Sequence, residues 1–365
     1  MTEYEHHDEM KQEQITCDFI IVGQGIAGSI LAHFLLQQHK KILVIDQHNP
    51  NSASNIAAGV VNPITGRKMV KSWMIDEVMP FAKSTYKELE TLLHTSFFYE
   101  EDIFKLFTSK EDVDIWNRKI EDDEYKDYLG EIVESIDNNI TANYGIGIIK
   151  QCCWMDVPVF IKAYRNYLKE QQILREEIFD ISDIIVTDKI QYKNISASKI
   201  IFCEGYKAFQ NPYFNFIPFS LAKGEQFVVH IPNLHSNKII NKNIFIIPKK
   251  NNDYTVGSTF IWNDVTETVT DEGRKEIDDK LSKMVNCNYQ RIEEKAGIRP
   301  TMKDRRPVLG QHPNHSNVYI FNGFGTKGVS LAPYFANHLT NHIEYNFNIL
   351  EDVSINRFLK YLNNR

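Results

Sequence analysis

The sequence predicts an α/β protein in two parts: a discontinuous domain built on parallel strands, and a second α+β domain of mostly antiparallel sheet. Three observations predict it. The run CDFIIVGQGIAGSILAHFLLQQHKKILVID, residues 17–46, reads as strand, tight glycine turn, helix and strand. The run VYIFNGFGTKGVSLAPYFANHLTNHI, residues 318–343, repeats that order near the C-terminus. Between them GEQFVVHI, KNIFIIPKK and DYTVGSTFIW read as antiparallel strands joined by polar turns. A chain of 365 residues also exceeds one ordinary domain of about 100–200 residues, so two domains sharing an interface are expected.

Composition narrows the function. The chain is 42% hydrophobic, enough for a sizeable core, and its 41 basic residues stand against 48 acidic ones for a net charge of −7. No basic tail or stripe marks a dedicated nucleic-acid binder, which favours small-molecule chemistry. Five cysteines without a C-x-x-C spacing argue for reduced thiols rather than a disulfide framework or a zinc site. The acidic start MTEYEHHDEMKQEQ lacks the basic and apolar order of a signal peptide, and no apolar run reaches about 18 residues. Residues 1–14 are therefore expected to be a disordered leader on a cytoplasmic protein that does not enter a membrane.

Within the first unit, Phe19 to Val22 is short and β-branched, as a strand buried on both faces should be. Gly23 serves the turn, Gly25 the close approach of backbone to a pyrophosphate, and Gly28 the packing of helix on sheet. Ile26 and Ala27 open the helix at its positive end, where phosphates bind, and Ile30, Leu31, Phe34 and Leu35 follow at helical spacing. Asp46 ends the next strand about 20 residues after Gly23, with Gln47 beside it, and is placed to accept hydrogen bonds from a ribose diol. Strand, turn, helix and acid agree on a dinucleotide site, but leave NAD and FAD both open.

The next segment, SASNIAAGVVNPITGRKMVKSW at 52–73, lacks the helix with which an NAD fold continues. Small residues at Ala57, Ala58 and Gly59, after Asn55, let backbone lie against a flat ring system. Residues 76–136 carry charged, helically spaced stretches and read as mainly solvated helices on the outside of the second domain. WMDVPVFIKAYRNYLKEQ follows as an amphipathic helix with Pro158 in its first turn. EEIFDI, DIIVTD, KIQYKN and SKIIFCEGY read as strands, the last returning Glu204 and Gly205 to the nucleotide sheet, and residues 271–286 as a helix. The late turn through Gly323, Phe324, Gly325, Thr326, Lys327 and Gly328 offers a second helix N-terminus.

GQGIAG with Asp46, ASNIAAG, CEGY, YTVGST, GIRPTMKDRRPVLG and NGFGTKGVSLAP, in that order, resemble the D-amino-acid oxidase/glycine oxidase superfamily of FAD-dependent oxidoreductases. They are also similar to the oxidase half of bifunctional enzymes that act on a modified uridine of tRNA. The resemblance implies a glutathione-reductase-like FAD domain, assigned to 15–75, 150–215 and 297–365, and a substrate domain at 76–149 and 216–296. It adds Ile178 to the cofactor contacts and implies that Arg299 holds a substrate carboxylate, while Lys327 sits at the flavin C2 carbonyl. The implied reaction oxidises the C–N bond of an amino acid or N-substituted glycine by hydride transfer to flavin, and the imine is hydrolysed.

No cysteine occurs between 297 and 333, where some relatives attach flavin, so noncovalent FAD is expected. Thr326 and Lys327 replace an arginine that some glycine-oxidising relatives carry, which leaves the substrate open. Two other readings stand. One is an oxidase removing a carboxymethyl group from a tRNA uridine, permitted by Arg67, Lys68 and Lys71 but opposed by the acidic balance; the other is a flavin-binding protein without turnover. Tyr254, Lys249 and Lys250 are further pocket candidates, and Arg305 and Arg306 are expected as surface charges or partners of Asp304. His230, His235, His312 and His315 have no ligand spacing, so no metal is expected.

Overall fold

In the computed structural model, which describes residues 14–262 and 264–362, the FIIV run is buried on both faces. Phe19 and Ile21 meet the helices, whereas Ile20 and Val22 join a second apolar layer with Phe202, Phe214 and Ile320. Fully burying such a side chain is worth about 1.5–3 kcal/mol, so this strand anchors its sheet from both sides. The leader expected at 1–14 lies outside the described residues apart from Gln14.

The strands that position the site are β1 (Ile15–Val22), β2 (Ile42–Ile45), β3 (Ile195–Phe202), β4 (Ala222–His230), β5 (Asp253–Gly257), β6 (Gln290–Arg299) and β7 (His315–Asn322). The helices are α1 (Ile26–Gln37), α2 (Ile75–Leu93), α3 (Lys110–Ile120), α4 (Val157–Glu170), α5 (Asp271–Leu281) and α6 (Gly328–Tyr345). In one sheet β2, β1, β3 and β7 run parallel, with Val22 opposite Ile45 and Phe202, and Phe202 opposite Ile320. Their carboxyl ends therefore share one edge. In the other sheet β4 lies between β5 and β6, antiparallel to both, and the sheet continues through Phe245–Pro248 and Ile239–Asn241 to Ile103–Leu106, Ile146–Ile149 and Leu129–Val133. Only the Ile239–Asn241 pairing with Ile103–Leu106 is parallel among its described ladders.

Two expectations fail here. Residues 76–136 are not mainly helices on the outside of the second sheet. Ile103–Leu106 and Leu129–Val133 are strands of it, and α2 packs on α6 through Val78, Met79, Ala82, Tyr86 and Leu89. The helical spacing was correctly legible in α2, but an apolar stripe does not name its partner. EEIFDI is not a strand either: Leu174–Arg175 pairs with β2, and the chain then turns, with Glu176 drawn to Arg165 and Ile178 left exposed.

The α2–α6 contact has a specific polar lock. Pro333 lies inside α6 and has no N–H, so the carbonyl of Val329 four residues earlier loses its helical donor. The hydroxyl of Tyr86 on α2 donates to that carbonyl at 2.7 Å in a fully buried setting. Tyr86→Phe is expected to lower unfolding stability by about 1–3 kcal/mol, the cost of an unsatisfied buried carbonyl. In a Pro333→Ala background, where the helix recovers its own bond, the same change should cost less; chemical denaturation of the four proteins measures the coupling.

Candidate functional site

The shared edge of β1, β3 and β7 opens into a cavity of about 580 Å³. Ligands of open α/β sheets bind outside such carboxyl ends. Gly23 leaves β1 with φ +99° and Gly28 follows in α1, where an added Cβ would stand 1.9 Å from the Gly23 carbonyl oxygen. That crossing brings the start of α1 to the cavity, with Ile26 N–H donating to Ser54 Oγ at 3.0 Å. The start of α6 reaches the same cavity through the turn at Gly323 and Gly325, both with positive φ.

These two helix starts differ from the others. Ser109, Asp156 and Thr270 cap α3, α4 and α5 through side-chain oxygens, and α2 carries Asp76 and Glu77 in its first turn. Gly25 and Lys327 cap neither α1 nor α6 by a side chain, and neither first turn holds an acid. Apart from the Ile26 N–H bound by Ser54 Oγ, two positive helix ends are thus left for an anionic ligand.

Asp46 sits at the end of β2, where its Oδ2 accepts from Gln24 N–H at 2.9 Å and its Oδ1 from His48 N–H at 2.7 Å. Arg165 of α4, itself buried, donates through Nη1 to Asp46 Oδ1 at 2.7 Å and to Gln24 Oε1 at 3.1 Å, and through Nη2 to Glu176 Oε1 at 2.9 Å. The predicted ribose acceptor is therefore oriented by an arginine 119 residues away, with Gln24 completing the frame. Glu204, at the end of β3, holds Asn211 Nδ2 at 2.8 Å, and burial pushes its carboxyl up to about 7.

The second sheet forms the opposite wall with the face of β4 that carries Gly224 and Gln226. Arg299 stands at the end of β6, paired with Ala222, and its guanidinium crosses Gly224, where a Cβ would lie 1.9 Å from Nη2. Nη1 donates to the carbonyls of Lys223 and Thr259 at 3.2 and 3.3 Å; Nη2 donates to Ser258 Oγ at 2.6 Å and to the Thr259 carbonyl. Among the described residues no carboxylate lies within ion-pair distance of Arg299, and Nε–H has no hydrogen-bond partner. Burial draws the guanidinium down to about 10, which leaves it charged at neutral pH. Opposite, Gly297 lets Ile56 approach to where a Cβ would stand 2.0 Å from its Cδ1.

Nearly every residue singled out from the sequence reaches this one cavity. Gly23, Gly25, Ile26 and Ala27 line it from α1; Asp46 and Gln47 from β2; Asn55, Ala57, Ala58 and Gly59 from the following loop. Ile178, Glu204 and Gly205 line it beside β3, and Phe324, Gly325, Thr326, Lys327 and Gly328 from the late turn. Gly28 and Gly323 lie behind it, one in the helix crossing and the other in the turn. Burial, with Arg306 and Arg305 nearby, lowers the Lys327 ammonium from its ordinary value. Tyr254 does not line the cavity: it faces the other side of the sheet and donates to the Leu234 carbonyl at 2.7 Å. Lys249 and Lys250 are absent from the wall as well. Asp304 pairs with Arg357, while Arg306 lies over the ring of Trp73 at 4.1 Å. Sequence reasoning missed Gln24, Ser54, Arg165 and Gly224, whose roles arise from contacts distant along the chain.

Comparison with known proteins bears directly on this geometry. The DAO family, described as FAD dependent oxidoreductase, matches residues 18–342. The chain belongs to this family of FAD-dependent oxidoreductases. It is 24% identical over 341 residues to the glycine oxidase of Bacillus subtilis (strain 168), covering 86% of this chain and 89% of that protein. It is 21% identical over 370 residues to the tRNA 5-methylaminomethyl-2-thiouridine biosynthesis bifunctional protein MnmC of Marinobacter nauticus, covering 90% of this chain but 56% of that protein. Among solved structures, glycine oxidase from Geobacillus kaustophilus superposes with a TM-score of 0.78 at 18% identity, over 92% of this chain and 96% of that one. Iminodiacetate oxidase from Chelativorans sp. BNC1 gives 0.74 at 19%, over 93% and 98%.

The family's FAD fits the residues present. Gly25 keeps a side chain out of the turn at the cavity, where a Cβ would stand 3.0 Å from Ser54 Oγ, two helix starts without a capping side chain of their own suit its charge, and Ala57, Ala58 and Gly59 give a wall without bulky side chains. When bound, FAD supplies a two-electron acceptor for hydride. Among the described residues no helix is long and apolar enough to cross a membrane, and no cluster of His, Cys, Asp and Glu has the makings of a metal site.

Two measurements test this site. Removing one partner of a buried ion pair costs roughly 3–5 kcal/mol. If a third of that falls on cofactor binding, Arg165→Met should weaken FAD binding about tenfold in a fluorescence titration. Between its ordinary value of 4.5 and about 7, Glu204 keeps a proton in the folded protein that the unfolded chain releases, so its contribution to stability falls as pH rises through that window. Glu204→Gln should therefore raise the thermal midpoint at pH 8, and the gain should vanish near pH 4.

Proposed function

We propose that the protein oxidises the C–N bond of an amino acid or N-substituted glycine, with Arg299 binding the substrate carboxylate. The observation that carries this reading is the state of Arg299: a desolvated cation on the cavity wall, steadied by neutral acceptors and lacking a carboxylate among the described residues. A structural arginine at such depth is normally paired, as Arg165 is. An incoming carboxylate completes the pair, with Nε–H and the Nη2 side presenting a planar edge to it once Ser258 Oγ yields.

With the anion held at Arg299, the α C–H faces the region bounded by Ala57, Ala58 and Gly59, against which the flavin ring rests in this reading. The substrate loses hydride from carbon and a proton from nitrogen, and water then adds to the imine and splits it to a carbonyl compound and an amine. The names of the glycine oxidase and iminodiacetate oxidase relatives support small amino-acid substrates. The FAD is held without a covalent link in this reading: the cavity cysteine, Cys203, lies beside Gly23, where the phosphates are expected.

A second reading keeps the same chemistry on a larger substrate. A carboxymethylaminomethyl uridine is itself an N-substituted glycine, and exposed Arg67 and Lys68 form the turn of a hairpin whose Thr65 lines the cavity. It requires tRNA binding that weakens steeply with salt in a gel-shift titration.

An anaerobic screen of small amino acids and N-substituted glycines tests the main reading by bleaching of the flavin absorbance. At least one should reduce the flavin, and a screen without any bleaching rejects amine oxidation. Arg299→Lys keeps the charge but loses the planar fork, so a reducing substrate should bind about 100-fold more weakly while FAD stays bound. Equal affinity in the variant removes Arg299 from the role.

A further inference from the structure

Residues 258–262 and 264–270 lie between the end of β5 and the start of α5, beside the cavity mouth. They are fastened at unusual cost. Lys223 and Glu225, both with fully buried side chains, form an ion pair at 3.1 Å on the face of β4 away from the cavity. Lys223 Nζ also reaches Asp264 Oδ2 at 2.8 Å and Thr266 Oγ1 at 3.1 Å; the Lys223 bond, with those that the Thr266 hydroxyl and N–H donate to Asp264 Oδ1, holds the Asp264 carboxyl down to about 2. Glu225 Oε1 accepts from Thr270 N–H and hydroxyl at 3.1 and 3.0 Å, and its backbone N–H donates to Thr259 Oγ1 at 2.9 Å. At the far side Glu267 Oε1 accepts from Asn49 Nδ2 at 2.9 Å and Tyr206 hydroxyl at 3.1 Å. Burying charges is costly even when they are paired, so this strap is held in place against an energetic penalty.

What the strap displays is apolar. Phe260 lines the cavity with its ring centroid 5.1 Å from the Arg299 guanidinium carbon, and Trp262 meets Phe260 edge to face at 4.7 Å. Both rings remain nearly half exposed, at 44% and 46%, although the backbone carrying them is fixed. Two large aromatic side chains left in water beside the proposed substrate anchor, on backbone that pairs with β4 at Ile261 and Trp262, leave apolar surface that a ligand can cover, at roughly 25 cal/mol per Å² of area removed from water.

We propose that Phe260 and Trp262 form an aromatic lip that selects substrates bearing a planar apolar group on the nitrogen or α-carbon of the amino acid. The inference rests on Arg299 binding the carboxylate, which fixes the amino acid within reach of the Phe260 ring. A substrate as small as glycine cannot span from the guanidinium to the outer ring. A substituent with an arylmethyl's reach can lie against both, and its desolvation is gained only when the carboxylate is already seated.

The test uses the FAD-loaded protein and two matched pairs: N-benzylglycine against N-methylglycine, and phenylalanine, as both enantiomers, against alanine. Rate constants for anaerobic flavin reduction divided by the apparent Kd are compared. In at least one pair the ring-bearing member should exceed its small partner by about tenfold or more, a factor within the range that apolar pockets achieve. Trp262→Ala should cut that ratio several-fold with the flavin spectrum retained, and Phe260→Leu should cut it too. Preference for the small member in both pairs overturns the lip, as does a ratio unmoved by either variant. So does a Trp262→Ala effect confined to oligomeric state, which would make the rings an interface between copies. If no amine reduces the flavin, it is the amine-oxidation reading that fails. Titration of the flavin spectrum with phenylacetate against acetate then decides the lip alone: tighter phenylacetate binding that weakens in Trp262→Ala supports it, and equal binding rejects it.

Discussion

The site depends on one close crossing, that of α1 over the end of β1. Gly28 lies so near the Gly23 carbonyl that a Cβ there would stand at 1.9 Å, and Gly23 itself sits at φ +99° against the Cys203 carbonyl. Any side chain at Gly28 moves α1 away from the sheet and withdraws its N-terminus from the cavity. The second helix start follows from the first, because α6 packs on α1 and is fixed in turn by the Tyr86 bond to the Val329 carbonyl that Pro333 leaves free. Placement of both positive helix ends thus descends from a glycine contact and a proline, each of which acts through what its residue lacks.

Two arginines divide the electrostatic work, Arg165 buried and Arg299 partly buried on the cavity wall. Arg165 is enclosed by Asp46 and Glu176 and accepted by Gln24, so its charge is spent inside the protein and serves to aim a carboxylate. Arg299 is held by two carbonyls and a hydroxyl, groups that orient a cation without neutralising it. The difference matters because a carboxylate beside Arg299 would have relieved its desolvation already and left nothing for a ligand to gain. In our reading one arginine builds the cofactor frame and the other reserves its charge for substrate.

How much of this was legible in the sequence follows from the range of the interactions. The glycine turn, Asp46 and the late glycine turn could be read because their spacing along the chain is dictated by local geometry, and Arg299 because it sits between Ile298 and Pro300 in a recognisable motif. Arg165 could not be read: on an amphipathic helix an arginine resembles any solvated cation, and its partner lies 119 residues back. The helices of 76–136 were legible as helices only in part, because strands such as Ile103–Leu106 are too short to declare a period, and α2 reveals an apolar face without revealing that α6 covers it. Tyr254 was misplaced by a single parity step. It alternates with the residues that face the cavity, so proximity in sequence put it on the wrong side of β5.

The same alternation explains how β4 serves two purposes at once. Lys223 and Glu225 share one face and fasten the strap, while Ala222, Gly224 and Gln226 share the other, two of them lining the cavity. Register on β6 then sets Ala222 against Arg299 and Gly224 against Gly297. The paired glycines are not redundant, since one makes room for the Arg299 guanidinium and the other for Ile56. A slip of one residue would turn a buried ion pair into the cavity and close the slot in which Arg299 lies. The charges on the far face therefore protect the near one: because the Lys223 and Glu225 side chains have their partners only in this register, the position of Arg299 is set in part by an ammonium and a carboxylate that do not touch it.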